Sequence, residues 1–125
     1  MRQIASAVVS TGDDSEWFDV RLEPHRDTLV IAPRGELDMN VVGRLDAAFE
    51  EALAGGYRRI VVDLRGLSFM DSTGLHSLLG MRRSTERSGV DFAIVPGDDA
   101  VQHVFEITRT VEALPFVDPR ELELD

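Results

Sequence analysis

The chain has 125 residues, no cysteine and a formal net charge of −10, and all 13 of its basic residues are arginine. This length fits one domain with a substantial core, and no apolar run reaches the roughly 18 residues of a membrane-spanning helix. The lack of cysteine excludes disulfides, the lack of lysine excludes P-loop and Schiff-base enzymes, and the negative charge disfavours nucleic acids and anionic membranes as partners. We therefore expect a cytoplasmic protein.

The first third of the chain predicts a tail and two strands. Residues 1–15 are polar and without period, which indicates a flexible tail before a folded domain over residues 16–125. Apolar and charged residues alternate over 18–23, as in a half-buried edge strand. Thr28–Ala32 is a more continuous apolar strand, and Pro33 after it predicts a bend or bulge.

An amphipathic helix and a buried strand are expected next. Apolar residues recur at helical spacing over residues 41–53, with Asp38 or Asn40 as candidate N-cap. Gly55 with the following glycine is expected to end this helix. Residues 58–64 are apolar at nearly every middle position, which is typical of a parallel strand covered on both faces.

A loop over residues 65–70 and a second helix follow this strand. The helix is expected to begin near Ser72 and to end at Gly89, with arginines in its second half. Its apolar positions should pack on the preceding strand. The expected buried residues are Ile60, Val62, Leu64, Leu75, Leu78 and Leu79.

The last third continues the alternation of strands and helices. A strand is predicted over residues 90–95, and Asp98 is the expected cap of a third helix. One helical turn over 111–114 and a short edge strand over 115–117 should follow. Residues 118–121 have the pattern of a capping box with a proline at the first helical position. This order predicts an α/β domain with a small, mainly parallel sheet and helices packed against it.

The start of the second helix presents two hydroxyls beside a carboxylate, in the order Asp71, Ser72, Thr73. Side-chain oxygens of these types cap the N–H groups at a helix start. The same N–H groups and the helix dipole would also accommodate a phosphate on Ser72. From these residues alone, simple capping and phosphate acceptance both remain open.

Other candidate sites are weaker. His76 follows Ser72 by one helical turn, but a serine hydrolase would need a nucleophile elbow and a third group that orients the base. We therefore expect an exposed surface histidine. Asp63 ends the central strand, where it is either a ligand-facing carboxylate or a loop cap. His25 and His103 are isolated in sequence, so we expect no metal site.

Three segments carry a family resemblance, namely Gly35–Asp38, Val61–Leu64 and Phe69–Leu75. In this order they resemble the anti-sigma factor antagonists, which consist of a STAS domain, and the resemblance spans roughly residues 17–117. It implies a non-enzymatic protein that binds an anti-sigma factor and thereby frees a sigma factor. It also implies that the anti-sigma factor, a kinase, phosphorylates Ser72 and that a serine phosphatase reverses the step.

The resemblance implies no catalytic residue, cofactor or metal in the chain itself. A STAS signalling module of a transporter or of a larger regulatory assembly remains an alternative, whereas a receiver domain is disfavoured by the lack of lysine. The expected site comprises the phosphoacceptor Ser72 and the partner-binding residues Asp38, Asp63, Asp71, Thr73, Gly74 and His76.

Overall fold

A computed structural model describes residues 7–9, 18–122 and 124, and in this part of the chain six strands form one mixed sheet. The strands are β1 (Ala7–Val9), β2 (Phe18–His25), β3 (Thr28–Leu37), β4 (Arg59–Asp63), β5 (Leu67–Met70) and β6 (Asp91–Val95). The helices are α1 (Val42–Ala54), α2 (Ser72–Ser88) and α3 (Asp99–Ile107). Single 3-10 turns follow at Val111–Ala113 and Pro119–Glu121.

The long strand β3 organises the sheet. On one side it pairs antiparallel with β2. On the other side its first half pairs with β4 and its second half with β5, both in parallel. The sheet order is β1-β2-β3-β4-β6, and β4 and β6 are also parallel. The predicted α/β fold with a mainly parallel sheet is confirmed, since three of the five described pairings are parallel.

The N-terminal prediction needs correction. Ala7–Val9 form β1, which pairs antiparallel with residues 20–22 of β2. A tail is therefore the wrong interpretation for residues 7–9, and β2 is not an edge strand as its alternation suggested. The other residues of the predicted tail lie outside the described part of the chain.

The predicted loop over residues 65–70 contains strand β5, which the sequence analysis missed. Gly35 is level with Leu67, whereas the next residue of β3, Glu36, is level with Phe69. Ser68 is therefore an extra residue on β5, as in a β-bulge. The irregularity lies after Gly35, which has a φ of 105°, and not at Pro33, where the bend was expected.

The start of α1 also differs from the prediction. Its N-cap residue is Val41, which has no polar side chain to cap the helix. Asp38 instead forms a turn before the helix, where its carboxylate accepts from the Asn40 N–H at 2.9 Å. The Asp38 carbonyl accepts from the N–H groups of Val41 and Val42 at 3.1 and 3.0 Å. Neither Asp38 nor Asn40 is therefore the N-cap.

The core lies between the sheet and the helices. Residues of all three helices share one buried cluster with Ile60, Val62 and Leu64, and Ile60, Val61 and Val62 of β4 have no exposed area. The complete burial of these three residues confirms that β4 is covered on both faces. None of the described helices has the length and apolar composition needed to cross a membrane.

The C-terminal segment covers the second face of the sheet. Val117 and Leu122 pack there against Val30 and Val61, and the Leu122 carbonyl accepts from Arg59 Nη2 at 3.1 Å. The expected edge strand is reduced to a single parallel bridge between Ile94 and Phe116. The predicted capping box at Asp118 is present.

The buried face of α2 agrees with the prediction except in the extent to which Leu79 is buried. Leu78 has no exposed area, whereas Leu79 is only partly buried at the margin of the core. Leu75 is buried as expected. The side chain that α2 places deepest in the core is thus Leu78.

Replacing Leu78 with alanine should lower the free energy of unfolding by about 2–5 kcal/mol, because a fully buried side chain leaves a cavity. Leu79→Ala is the matched control on the same helix and should cost less than Leu78→Ala. Urea denaturation of both variants measures the difference. An equal or larger loss in Leu79→Ala would show that this helix register is wrong.

Candidate functional site

The end of β3 holds the start of α2 in place. Leu37 is level with Met70 of β5, and the Leu37 carbonyl accepts a hydrogen bond from the Asp71 N–H at 3.2 Å. The residues that follow the two strands are Asp38 and Asp71, which therefore lie together at the carboxyl-terminal ends of β3 and β5. In this respect the structure brings two predicted site residues together.

Asp71 is the N-cap of α2. Its backbone is extended, and its Oδ1 accepts from the Thr73 N–H at 2.9 Å and from the Thr73 hydroxyl at 2.5 Å. A carboxylate is a favourable cap because it satisfies an N–H of the first turn and its charge complements the helix dipole. The cap is thus Asp71, and Ser72 is not needed for it.

Ser72 is the first residue of the helix and is exposed. Within the described part of the chain, its hydroxyl has no hydrogen-bond partner. Thr73 is half-buried, and its hydroxyl is engaged with Asp71. A reagent that approaches from solvent therefore meets the Ser72 hydroxyl, which lies where the helix N-terminus would stabilise a phosphate.

Asp71→Ala should lower the free energy of unfolding by about 0.5–2 kcal/mol through loss of the cap. Ser72→Ala is the adjacent control and should change it by less than about 0.5 kcal/mol, because an exposed, unbonded hydroxyl is removed. Chemical denaturation followed by circular dichroism compares the two. Equal losses would contradict the assignment of Asp71 as the cap.

Gly74, a predicted partner-binding residue, is buried in the first turn of α2. A Cβ at this position would lie 2.6 Å from Met70 Cγ and 2.9 Å from Leu37 Cδ2. Both neighbours are buried side chains. The glycine therefore allows the first turn of α2 to pack closely on the ends of β3 and β5.

Gly74→Ala should destabilise the fold by about 1–3 kcal/mol, because the extra methyl group overpacks the core. Gly80→Ala is the matched control in the same helix, since its Cβ would meet only Arg83 Nη2, at 3.8 Å. The control should be neutral or stabilising by up to about 1 kcal/mol. Thermal or urea denaturation checks the opposite signs, and a neutral Gly74→Ala would refute the close packing.

Asp63 is separated from Ser72. It pairs with Val95 of β6. Its preceding residue is level with Ile31 of β3, whereas the residue before Asp71 is level with Leu37. The intervening six residues of β3 correspond to roughly 20 Å of strand. The expectation that Asp63 could border Ser72 is therefore wrong.

The Asp63 carboxylate instead binds Arg65. It accepts from the Arg65 backbone N–H at 3.0 Å and from its guanidinium at 3.0 and 2.8 Å. This hydrogen bonding, with the charge of Asp63, raises the pKa of Arg65 above its ordinary value. The arrangement fits the loop-capping alternative for Asp63.

His76 is exposed one turn after Ser72, as expected. It lines an open groove of about 410 Å³ between α1 and α2, which also includes Asp46, Glu50 and Arg83. The described residues provide His76 with no hydrogen bond or ion pair that would orient it as a base. They also contain no group of three or more side chains suited to hold a metal ion.

Comparison with known proteins identifies the family of this chain. Residues 19–120 match the STAS domain. The chain belongs to the STAS domain family. The family resemblance carried by the three sequence segments is therefore confirmed.

Relatives of this STAS domain include named anti-sigma factor antagonists. An anti-sigma F factor antagonist of Paenibacillus polymyxa is 27% identical over 102 residues, which cover 81% of this chain and 87% of that protein. An anti-sigma-B factor antagonist of Staphylococcus aureus is 30% identical over 89 residues, which cover 71% of this chain and 82% of that protein.

Solved structures of the anti-sigma factor antagonist SpoIIAA have the same fold. Its unphosphorylated form is 29% identical, with a TM-score of 0.68 and coverage of 82% of this chain and 90% of that one. The phosphorylated form from Bacillus is 28% identical, with a TM-score of 0.63 and coverage of 82% and 94%.

The sequence pattern did not indicate that two apolar residues near the site of this STAS domain are exposed. Met39 follows Asp38 and is 73% exposed, and Phe69 precedes the Met70–Asp71 pair and is 48% exposed. The sequence predicts a loop at Phe69, whereas the structure places it in strand β5. The signal that could have found it is an aromatic residue two positions before the helix cap.

Proposed function

We propose that this STAS domain is an anti-sigma factor antagonist, which binds its anti-sigma factor while Ser72 is unphosphorylated and thereby frees a sigma factor. The observation that carries the proposal is the Ser72 hydroxyl, which is exposed at the first position of α2 without a hydrogen-bond partner among the described residues. The relatives named as antagonists support it. So does SpoIIAA, which exists in unphosphorylated and phosphorylated forms.

In the proposed switch, the anti-sigma factor is also the kinase. Ser72 Oγ forms a bond to the γ-phosphorus of ATP, the bond from that phosphorus to ADP breaks, and the hydroxyl proton passes to a base of the partner. A serine phosphatase then hydrolyses phosphoserine to serine and inorganic phosphate. The catalytic groups and the nucleotide belong to these partners, so we propose a cytoplasmic binding protein without enzymatic activity, cofactor or metal.

The phosphate acts through its charge. It adds about −1.5 to −2 charges next to Asp71, on a chain whose formal net charge is already −10. In the isolated protein, the N-terminus of α2 stabilises this charge. In a complex, the same charge must be desolvated or opposed by the partner, which costs several kcal/mol. Phosphorylation should therefore weaken binding without unfolding α2.

The proposed contact surface is smaller than the sequence suggested. It comprises Asp38, Asp71, Ser72 and His76, which lie at the end of β3 or on the first turns of α2. Thr73 contributes indirectly, because its hydroxyl holds the Asp71 carboxylate. Gly74 is buried and Asp63 lies apart, so neither belongs to this surface.

The proposal is tested by mixing the purified protein with ATP and each candidate anti-sigma factor from the same genome, and by locating phosphate with mass spectrometry. We expect one phosphate, on Ser72. Ser72→Ala should bind the partner like wild type and take up no phosphate, whereas Ser72→Asp should bind more weakly, by about tenfold for each 1.4 kcal/mol lost.

The control variant is Ser88→Ala, which removes an exposed serine at the other end of the same helix. It should bind and be phosphorylated like wild type. The proposed switch is wrong if phosphorylated wild type binds as tightly as the unmodified protein, or if the phosphate is found on Thr73. Failure of every anti-sigma factor to bind would refute the antagonist function itself.

A further inference from the structure

The bulge in β5 directs Phe69 towards solvent. In a regular strand, side chains alternate between the two faces. Because Ser68 is an extra residue, Leu67 and Met70 are both buried at 2% exposure, while Phe69 between them is 48% exposed. Bulges next to functional sites commonly redirect a side chain in this way. A half-exposed phenylalanine three residues before Ser72 is therefore a product of the local fold.

Phe69 forms one wall of a groove between β5 and α3. The groove has a volume of about 600 Å³, and its apolar lining comes from Phe69, Met70, Ala100 and Val104. Ala100 and Val104 are four residues apart and so lie on the same face of α3. The groove is thus an apolar surface that no described part of the chain covers.

The rim of the groove is acidic. Asp99 and Glu106 of α3 line it, and both are exposed. Outside the lining, Glu36 of β3 is exposed and level with Phe69, so a third carboxylate lies beside that side chain. His103 lies between the two helix carboxylates, and its Nδ1 is 3.8 Å from Glu106 Oε1. No arginine lines the groove among the described residues.

An apolar centre with a charged rim is the composition of a protein interface, where a few aromatic residues carry most of the affinity. The carboxylates select a partner of opposite charge. The groove also lies next to Ser72 along the chain, because Met70 lines it and is followed directly by Asp71 and Ser72. A single partner can therefore cover the groove and the serine together.

We propose that the β5–α3 groove binds a segment of the anti-sigma factor that inserts an apolar side chain against Phe69 and presents Lys or Arg to Asp99 and Glu106. This inference rests on the proposed function and adds a second contact site to it. The groove supplies affinity and selects the partner, whereas Ser72 supplies the switch.

The test is a titration of the unphosphorylated protein with the anti-sigma factor that wild type binds, at two salt concentrations. Phe69→Ala should weaken binding by about 10- to 30-fold. Val111→Ala is the matched control, because Val111 is 40% exposed but does not line the groove. It should bind like wild type.

Two further variants test the groove, the first by removing rim charge and the second by adding bulk together with a positive charge. Asp99→Asn combined with Glu106→Gln should weaken binding mainly at low salt, where exposed charges are least screened. Glu51→Gln, on the exposed face of α1, is the control. Ala100→Arg places a bulky cation in the groove and should also weaken binding. Circular dichroism and urea denaturation verify that each variant is folded.

The outcomes separate this inference from the proposed function. If wild type binds and phosphorylation weakens binding, but Phe69→Ala and Ala100→Arg bind like wild type, the groove is not used and the switch stands. If the carboxylate variants have no effect at either salt concentration, the cationic partner segment is refuted. If sedimentation shows a wild-type dimer that Phe69→Ala dissociates, the groove binds a second copy instead. If no anti-sigma factor binds wild type, both proposals fail.

Discussion

The close approach of Gly74 to the side chains of Met70 and Leu37 constrains the position of the first turn of α2. Because glycine lacks a Cβ, the first turn of α2 approaches the strand ends closely enough to pack on them. At the same place, the Asp71 N–H donates a hydrogen bond to the Leu37 carbonyl. The position of the exposed Ser72 thus depends on interior packing at Gly74, two residues further along the helix.

Features with a strong local signal could be predicted from the sequence. The continuous apolar run in β4 corresponds to three adjacent, fully buried residues. Gly89 ends α2 in the left-handed conformation that favours glycine. Asp98 caps α3 through the Val101 N–H. In each case, neighbouring residues determine the structure, so the sequence pattern contains the necessary information.

Features that depend on distant strand pairing could not be predicted in this way. β5 has four residues and a bulge, which removes the alternation that identifies a strand. Asp38 has a residue type that caps helices, but the end of β3 places it in a turn before α1. The separation of Asp63 from Ser72 follows from the two successive partners of β3. For the site, the sequence motif therefore indicated Ser72 with Asp38, Asp71 and His76 around it, but not the exposed Phe69 beside them.

The C-terminal segment has a consequence for the free protein. At the outer edge of β6, Ile94 exchanges hydrogen bonds with this segment, since its N–H donates to the Pro115 carbonyl and its carbonyl accepts from the Val117 N–H, both at 2.9 Å. An uncovered strand edge is a template for pairing between copies and for aggregation. The bridge occupies the N–H and carbonyl of Ile94, the fourth of five residues in β6. The segment therefore interrupts the template whenever the protein is free and concentrated in solution.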